Sequence, residues 1–329
     1  MDEPQNSCIP AEWAPHKALW CAWPSDPDLW PGDLLRRART EIADMLRFMA
    51  QGESVRLLVN GEEAERSAKD TLDSCPAIEI IPAKFGDIWL RDTGPIWSLR
   101  GALRFRTNGW GGKYIYEGDD QVGDFMAKRS GAPIIRHEFV LEGGAVDHNG
   151  QGAILTTRQC MLNPNRNPLW NQIEAERCLK QAFGAQHICW LDDGLLNDHT
   201  DGHVDNLARF VGENRVVCSV SYGDDDPNAA LYVKTGRDLS DFGFDVVEIP
   251  SPGLIVDELS GQIAPASHMN FIIGNKNIAV PTYGTSTGGE AVRILQNLFP
   301  NHMVKGFSSI AILTGGGSFH CITQQEPEL

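Results

Sequence analysis

Polar and apolar residues along this chain follow one recurring plan. Polar residues at alternating positions lead into a short apolar strand, a turn rich in Gly and Asn, and a second apolar strand. The plan is visible in IWLRDTGPIWSLRGALRFRTN (88–108), VLEGGAVDHNGQGAILTT (140–157), DGHVDNLARFVGENRVVCSVSYG (201–223) and SHMNFIIGNKNIAVPTYG (267–284). The turns NGQG, GENR and GNKN hold residues that tolerate positive φ, the chemistry of a hairpin. Alternation before each turn sends polar side chains to one face and apolar ones to the other.

Helical patterns lie between these hairpins. In 33–51, Leu34, Ile42, Leu46 and Met49 fall at helical spacing. Further helices are expected over 61–73, 169–183, 227–242 and 288–299, and the apolar runs SVRLLVN, IEIIP, HICWL, DVVEIP and SIAIL read as strands. The order strand, helix, hairpin recurs about five times, with the two chain ends expected to complete one unit. Units of this kind can close in a ring whose polar faces point to the axis, which would gather Asp92, Glu142, His203 and Cys321. No Ser/Pro-rich linker divides the chain, so residues 1–329 read as one α/β domain.

Composition narrows the class. A hydrophobic fraction of 42% with 22% charged residues suits a soluble globular protein. No apolar run approaches the ~20 residues that cross a bilayer. The start, MDEPQNSCIPAEW, is acidic and polar rather than a secretory signal, so a cytoplasmic location is expected. Eight cysteines without a C-x-x-C pair make neither a disulfide framework nor a zinc site, and most are expected to be inert buried thiols. The formal charge of −16, without any Lys/Arg block, argues against nucleic acid or an anionic membrane as partner. It serves solubility or attracts a small cation, and charge alone does not choose.

Four segments carry candidate chemistry. WLRDTGP (89–95) could be an ion pair at a turn or a presented carboxylate. In LEGG (141–144), glycines beside Glu142 permit close backbone approach, and they also mark ordinary bulges. NDHTDGHVDN (197–206) is the densest ionisable cluster. As a strand it would place Asp201, His203 and Asp205 on one face, with His203 able to act as acid and base. It also reads as a solvated loop, or as a metal site from its His and Asp ligands. TGGGSFHCITQQ (314–325) puts Cys321 after a Gly-rich turn, the setting of a nucleophile or of a buried inert thiol.

Taken together and in order, PAEWAPHKALWCAWP (10–24), WLRDTGP, LEGG, DGHVDN and GGGSFHCITQQ resemble the agmatine deiminases, which are grouped with the bacterial-type peptidyl-arginine deiminases in the guanidino-modifying enzyme superfamily. The resemblance spans nearly the whole chain. It implies the pentein fold, a five-fold pseudosymmetric α/β propeller. By matching motif it implies Cys321 as nucleophile, His203 and Glu142 as the acid/base pair, Asp92 and Asp205 as the guanidinium holders, and Trp89 in the pocket wall. It implies no metal and no organic cofactor, and it leaves room for a homodimer.

The chemistry suits these residue types. A guanidinium stays protonated and presents N–H donors in a planar fork. Two carboxylates can satisfy that fork and leave the central carbon open to a thiolate. Agmatine, with two cationic ends and no carboxylate, suits an acidic pocket; the product would be N-carbamoylputrescine and the route would feed putrescine and polyamine synthesis from arginine. Free arginine would want a cation for its carboxylate, and peptidyl-arginine is the other reading from the family. Amidino transfer would need a second amine site. One departure concerns the far end of the substrate: many agmatine deiminases carry a carboxylate four residues before the histidine, where this chain has His199. Asp198 or Asp201 could take the far ammonium instead. The readings from other classes are a non-catalytic binder of polyamine-like cations, which intact Cys321, His203 and Glu142 argue against, and a metallohydrolase built on 198–205.

Overall fold

The computed structural model describes residues 9–328; Cys8 lies outside them. Five small sheets surround a central axis. Four of them share one pattern, an antiparallel hairpin followed by a helical crossover to a parallel third strand. The hairpins are Ile96–Ser98 with Gly101–Arg106, Val146–His148 with Ala153–Thr157, Ala208–Gly212 with Arg215–Val220, and Ile272–Ile273 with Asn277–Thr282. Their parallel partners are Ile134–Val140, His187–Leu191, Asp245–Pro250 and Met303–Ser308. The fifth sheet joins the chain ends: Thr323–Pro327 runs antiparallel to His16–Ala22, and Val55–Val59 and Ile78–Pro82 follow in parallel. The repeat order in the sequence anticipates this closure.

Crossover helices pack on the outside of the sheets and bury one stripe each. Leu34–Met49 buries Leu34, Ala38, Ile42, Leu46 and Met49, the helical stripe expected from their spacing. The helix expected from 169 begins at Gln172, because the Asn171 side chain caps it by accepting from the Glu174 N–H and Leu169 is left in solvent. On the inside, Arg209 is fully buried. It pairs with Glu12 and Asp147 and donates to the carbonyls of Met269 and Phe271. This one guanidinium ties its own strand to three segments far apart in the chain, at Glu12, at Asp147, and at Met269 and Phe271.

Several local expectations change. Asp119–Ser130 is a helix whose apolar stripe is only Val122, Met126 and Ala127, too short to stand out in the sequence. SIAIL is not a strand: the Glu41 carboxylate accepts the N–H groups of Ile310, Ala311 and Ile312, so a helix starts there and runs Ile310–Gly315. DGHVDN is not a strand either. Asn197 and Asp201 adopt positive φ, of 60° and 62°, and the chain passes into a 3-10 turn over Val204–Asn206. Asp201, His203 and Asp205 therefore do not share a strand face.

Candidate active site

The residues expected to act together meet on the inner side of the ring. Asp92 sits in a single helical turn, Leu90–Thr93. Arg91 beside it is not its ion partner. Arg91 turns the other way, donating to the His320 carbonyl and to the side chains of Gln324 and Gln325. Asp92 instead accepts from the Gly144 N–H through Oδ1 (2.9 Å) and from the Trp110 indole through Oδ2 (2.8 Å). Its carboxyl is pushed above the usual range by burial; the charge of His203 opposes this, and the carboxylates of Asp205 and Glu142 add to it.

Gly144 explains the glycines after Glu142. A Cβ there would stand 2.6 Å from His203 Nδ1, 3.0 Å from Asp205 Oδ2 and 3.1 Å from Asp92 Oδ1. Only a glycine lets the backbone run between these three groups.

His203 is buried, and neither ring nitrogen has a hydrogen-bond partner among the described residues. Nδ1 faces Asp92 Oδ2 at 3.8 Å and Nε2 faces Glu142 Oε2 at 3.9 Å. These distances exceed hydrogen-bond length but leave the charges strongly felt. Burial disfavours the imidazolium. Asp92, Cys160 and Glu142 outweigh that and hold the His203 pKa well above its ordinary value. Glu142 is held low: burial works against its charge, and His203 and Arg166 overcome it.

Asp205 is fully buried. Its Oδ2 accepts from His320 Nδ1 (2.7 Å), and its Oδ1 has no partner among the described residues. Burial opposes its ionisation, yet His320 and His203 keep it below the usual carboxylate range. Cys321 follows the turn Gly315–Gly317; a Cβ on Gly317 would lie 2.6 Å from the Trp89 ring and 3.2 Å from the Cys321 sulfur. Burial, Asp205 and Asp92 push the thiol well above its ordinary pKa, and a hydrogen bond from Asn270 Nδ2 to Sγ (3.2 Å) pulls the other way.

Trp89 is held by two contacts. Its indole N–H donates to Asp87 Oδ2 (2.8 Å), and its ring stacks on Trp30 at 6.1 Å. Asp87 also accepts from the Trp30 indole (3.0 Å), and burial raises its pKa to about 6. Trp89, Asp92 and Cys321 share a cavity of about 140 Å³ with Asp87, Trp110, Tyr114, Tyr116, His199, Thr200, Gly315 and Gly316. Asp92, Trp110, Tyr114 and Tyr116 also line a wider cavity of about 620 Å³, which reaches Glu142.

Two expected residues lie elsewhere. Asp198 and Asp201 do not line the cavity that holds Cys321. Asp198 is turned onto its own loop, accepting from the Thr200 N–H and hydroxyl. Asp201 is taken by Arg166 (2.7 Å) and Lys113 (2.8 Å). The shortest bonds these two carboxylates make run to Thr200, Arg166 and Lys113. His199, at the position of the departure noted above, does line the cavity.

Two residues escaped the sequence reading. Arg166 is buried within NPNRNP, and its Nε donates to both Glu142 oxygens (3.0 and 2.7 Å) while Nη2 reaches the Thr200 carbonyl. A lone arginine in an Asn/Pro-rich loop was the available signal. Asn270 stands in SHMNF. Its Oδ1 accepts from the His320 and Cys321 N–H groups while Nδ2 serves Sγ and Asn206. Nothing in the local sequence marked it.

The Cys/His/carboxylate set can perform nucleophilic and acid–base chemistry on a planar cation. A family model described as Porphyromonas-type peptidyl-arginine deiminase matches residues 8–327. An agmatine deiminase of Stutzerimonas stutzeri is 36% identical, covering 97% of this chain and 95% of its own. One of Pseudomonas aeruginosa is 35% identical over the same shares. Among solved structures, the agmatine deiminase of Enterococcus faecalis superposes with a TM-score of 0.91 at 26% identity, over 98% of this chain and 96% of that one. A C. jejuni agmatine deiminase variant with substrate bound gives 0.90 at 28% identity, over 98% and 96%. An amidinotransferase of Microseira wollei shares the fold alone, at a TM-score of 0.57 and 11% identity over 98% and 96%. The five-sheet ring is the pentein fold.

Proposed function

The chain belongs to the Porphyromonas-type peptidyl-arginine deiminase family, and from that premise we propose that it hydrolyses agmatine to N-carbamoylputrescine and ammonia with Cys321 as nucleophile. The observation that carries the reading is the meeting of a buried thiol, Cys321, with Asp92 at one cavity, beside Asp205 and an unpartnered His203.

In this reading the guanidinium lies between Asp92 and Asp205, with its central carbon facing Sγ. Each carboxylate can accept charge-assisted hydrogen bonds from the planar fork. The incoming positive charge offsets the two carboxylates that hold Cys321 as a thiol, so binding favours the thiolate, whose proton leaves to solvent. The thiolate attacks the carbon and forms a C–S bond. His203, as imidazolium, protonates the departing nitrogen, the C–N bond breaks and ammonia leaves. Neutral His203 then takes a proton from water. The hydroxide adds to the amidino-thioether carbon, and Cys321 departs as thiolate, leaving the ureido product. Glu142, fixed by Arg166, steadies the charge on His203 through Nε2.

Trp89 forms the wall of the guanidinium subsite, and the aromatic lining beyond it receives the tail. Asp198 and Asp201 have no place in this reading. No metal and no organic cofactor enters any step. Residues 1–329 act as one catalytic domain on a small cationic substrate, in the cytoplasm and as a homodimer; light scattering of the purified protein tests the last point. Among the described residues no helix is long and apolar enough to cross a membrane.

An ammonia-release screen over agmatine, free arginine, a blocked arginine peptide and methylated arginines tests the proposal. Release from agmatine well above the others supports it. Preference for an arginine derivative moves the substrate, and no release from any of them overturns the reaction. Release that stops with a chelator and survives a thiol alkylator would favour the metallohydrolase.

A further inference from the structure

We infer that Glu142, Cys160 and His203 form an inhibitory site for a thiophilic divalent cation such as Zn²⁺. Three observations carry this. One ligand atom from each residue lies within 4.8 Å of the other two, and all three residues are buried. Cys160 sits in the short helix Arg158–Met161, which the Thr157 side chain caps, so the thiol is held on backbone rather than on a loose loop. His203, 1% exposed, has no partner for either ring nitrogen among the described residues.

The orientation of His203 suits a metal. Nε2 looks toward Glu142 at 3.9 Å while Nδ1 looks toward Asp92 at 3.8 Å. Asp92 is too far from Nδ1 for a hydrogen bond as the groups stand, but its negative charge beside that nitrogen favours a proton on Nδ1 and leaves Nε2 free to ligate. One thiolate, one imidazole and one carboxylate make a mixed S, N, O set, which suits zinc and leaves a fourth position for water. Magnesium and calcium demand oxygen ligands and are disfavoured. At ordinary zinc–ligand lengths of about 2.0–2.3 Å, tetrahedral ligand atoms stand about 3.3–3.8 Å apart, so atoms now within 4.8 Å of one another close up by as much as about 1 Å.

Arg166 is the opposing feature, since its Nε donates to both Glu142 oxygens. A carboxylate has about four lone-pair sites, so with one used on each oxygen about two remain, one of which can take a metal. Asp201, on Arg166 Nη1, offsets the guanidinium charge. Glu142 lines the wider cavity while Cys160 and His203 do not, so a cation would have to enter past Glu142. Binding expels the Cys160 thiol proton and the proton on His203 Nε2. His203 is then no longer an imidazolium and has no proton for a leaving nitrogen. The inhibition rests on the acid role proposed for His203; the binding does not.

Cobalt(II) titration separates the two thiols in reach of the chemistry. Thiolate-bound Co²⁺ gives a near-ultraviolet charge-transfer band. The band is expected in the wild type and in Cys321→Ala, and is lost in Cys160→Ala. Zinc should stop ammonia release by the wild type, with Cys160→Ala needing more than about tenfold more zinc, since even outer-shell changes cost 10–100-fold. Should the alanine variant not fold, Cys160→Ser is read in the same way. A band that vanishes in Cys321→Ala and persists in Cys160→Ala, or no band in the wild type, overturns the site. The band is read without substrate, so it reports the metal site whether or not the deiminase reading holds.

Discussion

The Cys321 sulfur stands 3.9 Å from Oδ2 of Asp205, a carboxylate kept ionised in full burial by His320. The two groups oppose one another: the carboxylate that would hold a guanidinium also suppresses the thiolate that would attack it. An unreactive guanidinium analogue should therefore lower the pH at which thiolate absorbance appears. Coincident titrations with and without it contradict the idea. Asp205→Asn should lower that pH without any ligand, while weakening binding of the analogue by about 2–5 kcal/mol, the usual cost of truncating a buried charge pair.

Arg166 joins Glu142, Asp201 and the Thr200 carbonyl. Arg166→Gln leaves the buried Glu142 without its guanidinium, while Asp201 keeps Lys113. A loss of about 3–5 kcal/mol is expected in thermal or denaturant unfolding, together with a fall in kcat. Arg166→Lys keeps the charge and loses the fork, so it should fall between. An Arg166→Gln protein as stable and active as the wild type would remove this role.

Glu142 and Asp92 hold His203 protonated against burial. An acid that must carry its proton gives an alkaline limb in the profile of kcat/KM against pH. Glu142→Gln removes one source of negative charge, so the imidazolium gives up its proton sooner and that limb should move to lower pH. A limb that stays in place, or moves up, argues against His203 as the acid.

Burial pushes the Asp87 carboxyl up to about 6 in the folded chain, above the ordinary aspartate value of about 3.9. A raised carboxyl pKa means the protonated form favours the fold. This contribution is present below the unfolded value and is lost as pH rises through about 6. The difference corresponds to a cost on the order of 3 kcal/mol at neutral pH. Asp87→Asn cannot ionise, so its Tm relative to the wild type should rise between pH 4 and pH 7, whatever is lost at the Trp30 and Trp89 indoles. A Tm difference independent of pH would contradict the assignment.

Much of the ring was legible because hairpin chemistry and alternation are local. The turns NGQG, GENR and GNKN lie between paired strands, and the chain ends complete one sheet. The misreadings came from long-range contacts. SIAIL is helical because Glu41 caps it from a distant helix, and no local pattern carries that information. Asp119–Ser130 was missed because Gly123 and a thin apolar stripe weaken its period; a Cβ at Gly123 would lie 2.1 Å from Arg104 Nη1.

The site divides in the same way. Cys321, His203, Glu142, Asp92, Asp205 and Trp89 lie in motifs dense enough to quote, and the fold brings them together. Asp198 and Asp201 stood in the densest acidic cluster yet turn to Thr200, Arg166 and Lys113. Composition could not say which carboxylates already had partners. Asn270 and Arg166 act through atoms of residues far along the chain, which no local motif records.

Acid-quench mass spectrometry of the protein during agmatine turnover tests the central claim most directly. The account predicts a mass increase of one amidino-substituted substrate fragment on the intact chain, mapping to Cys321 and absent from Cys321→Ala, which should also release no ammonia. Ammonia release by Cys321→Ala, or an adduct on any other residue, would contradict it.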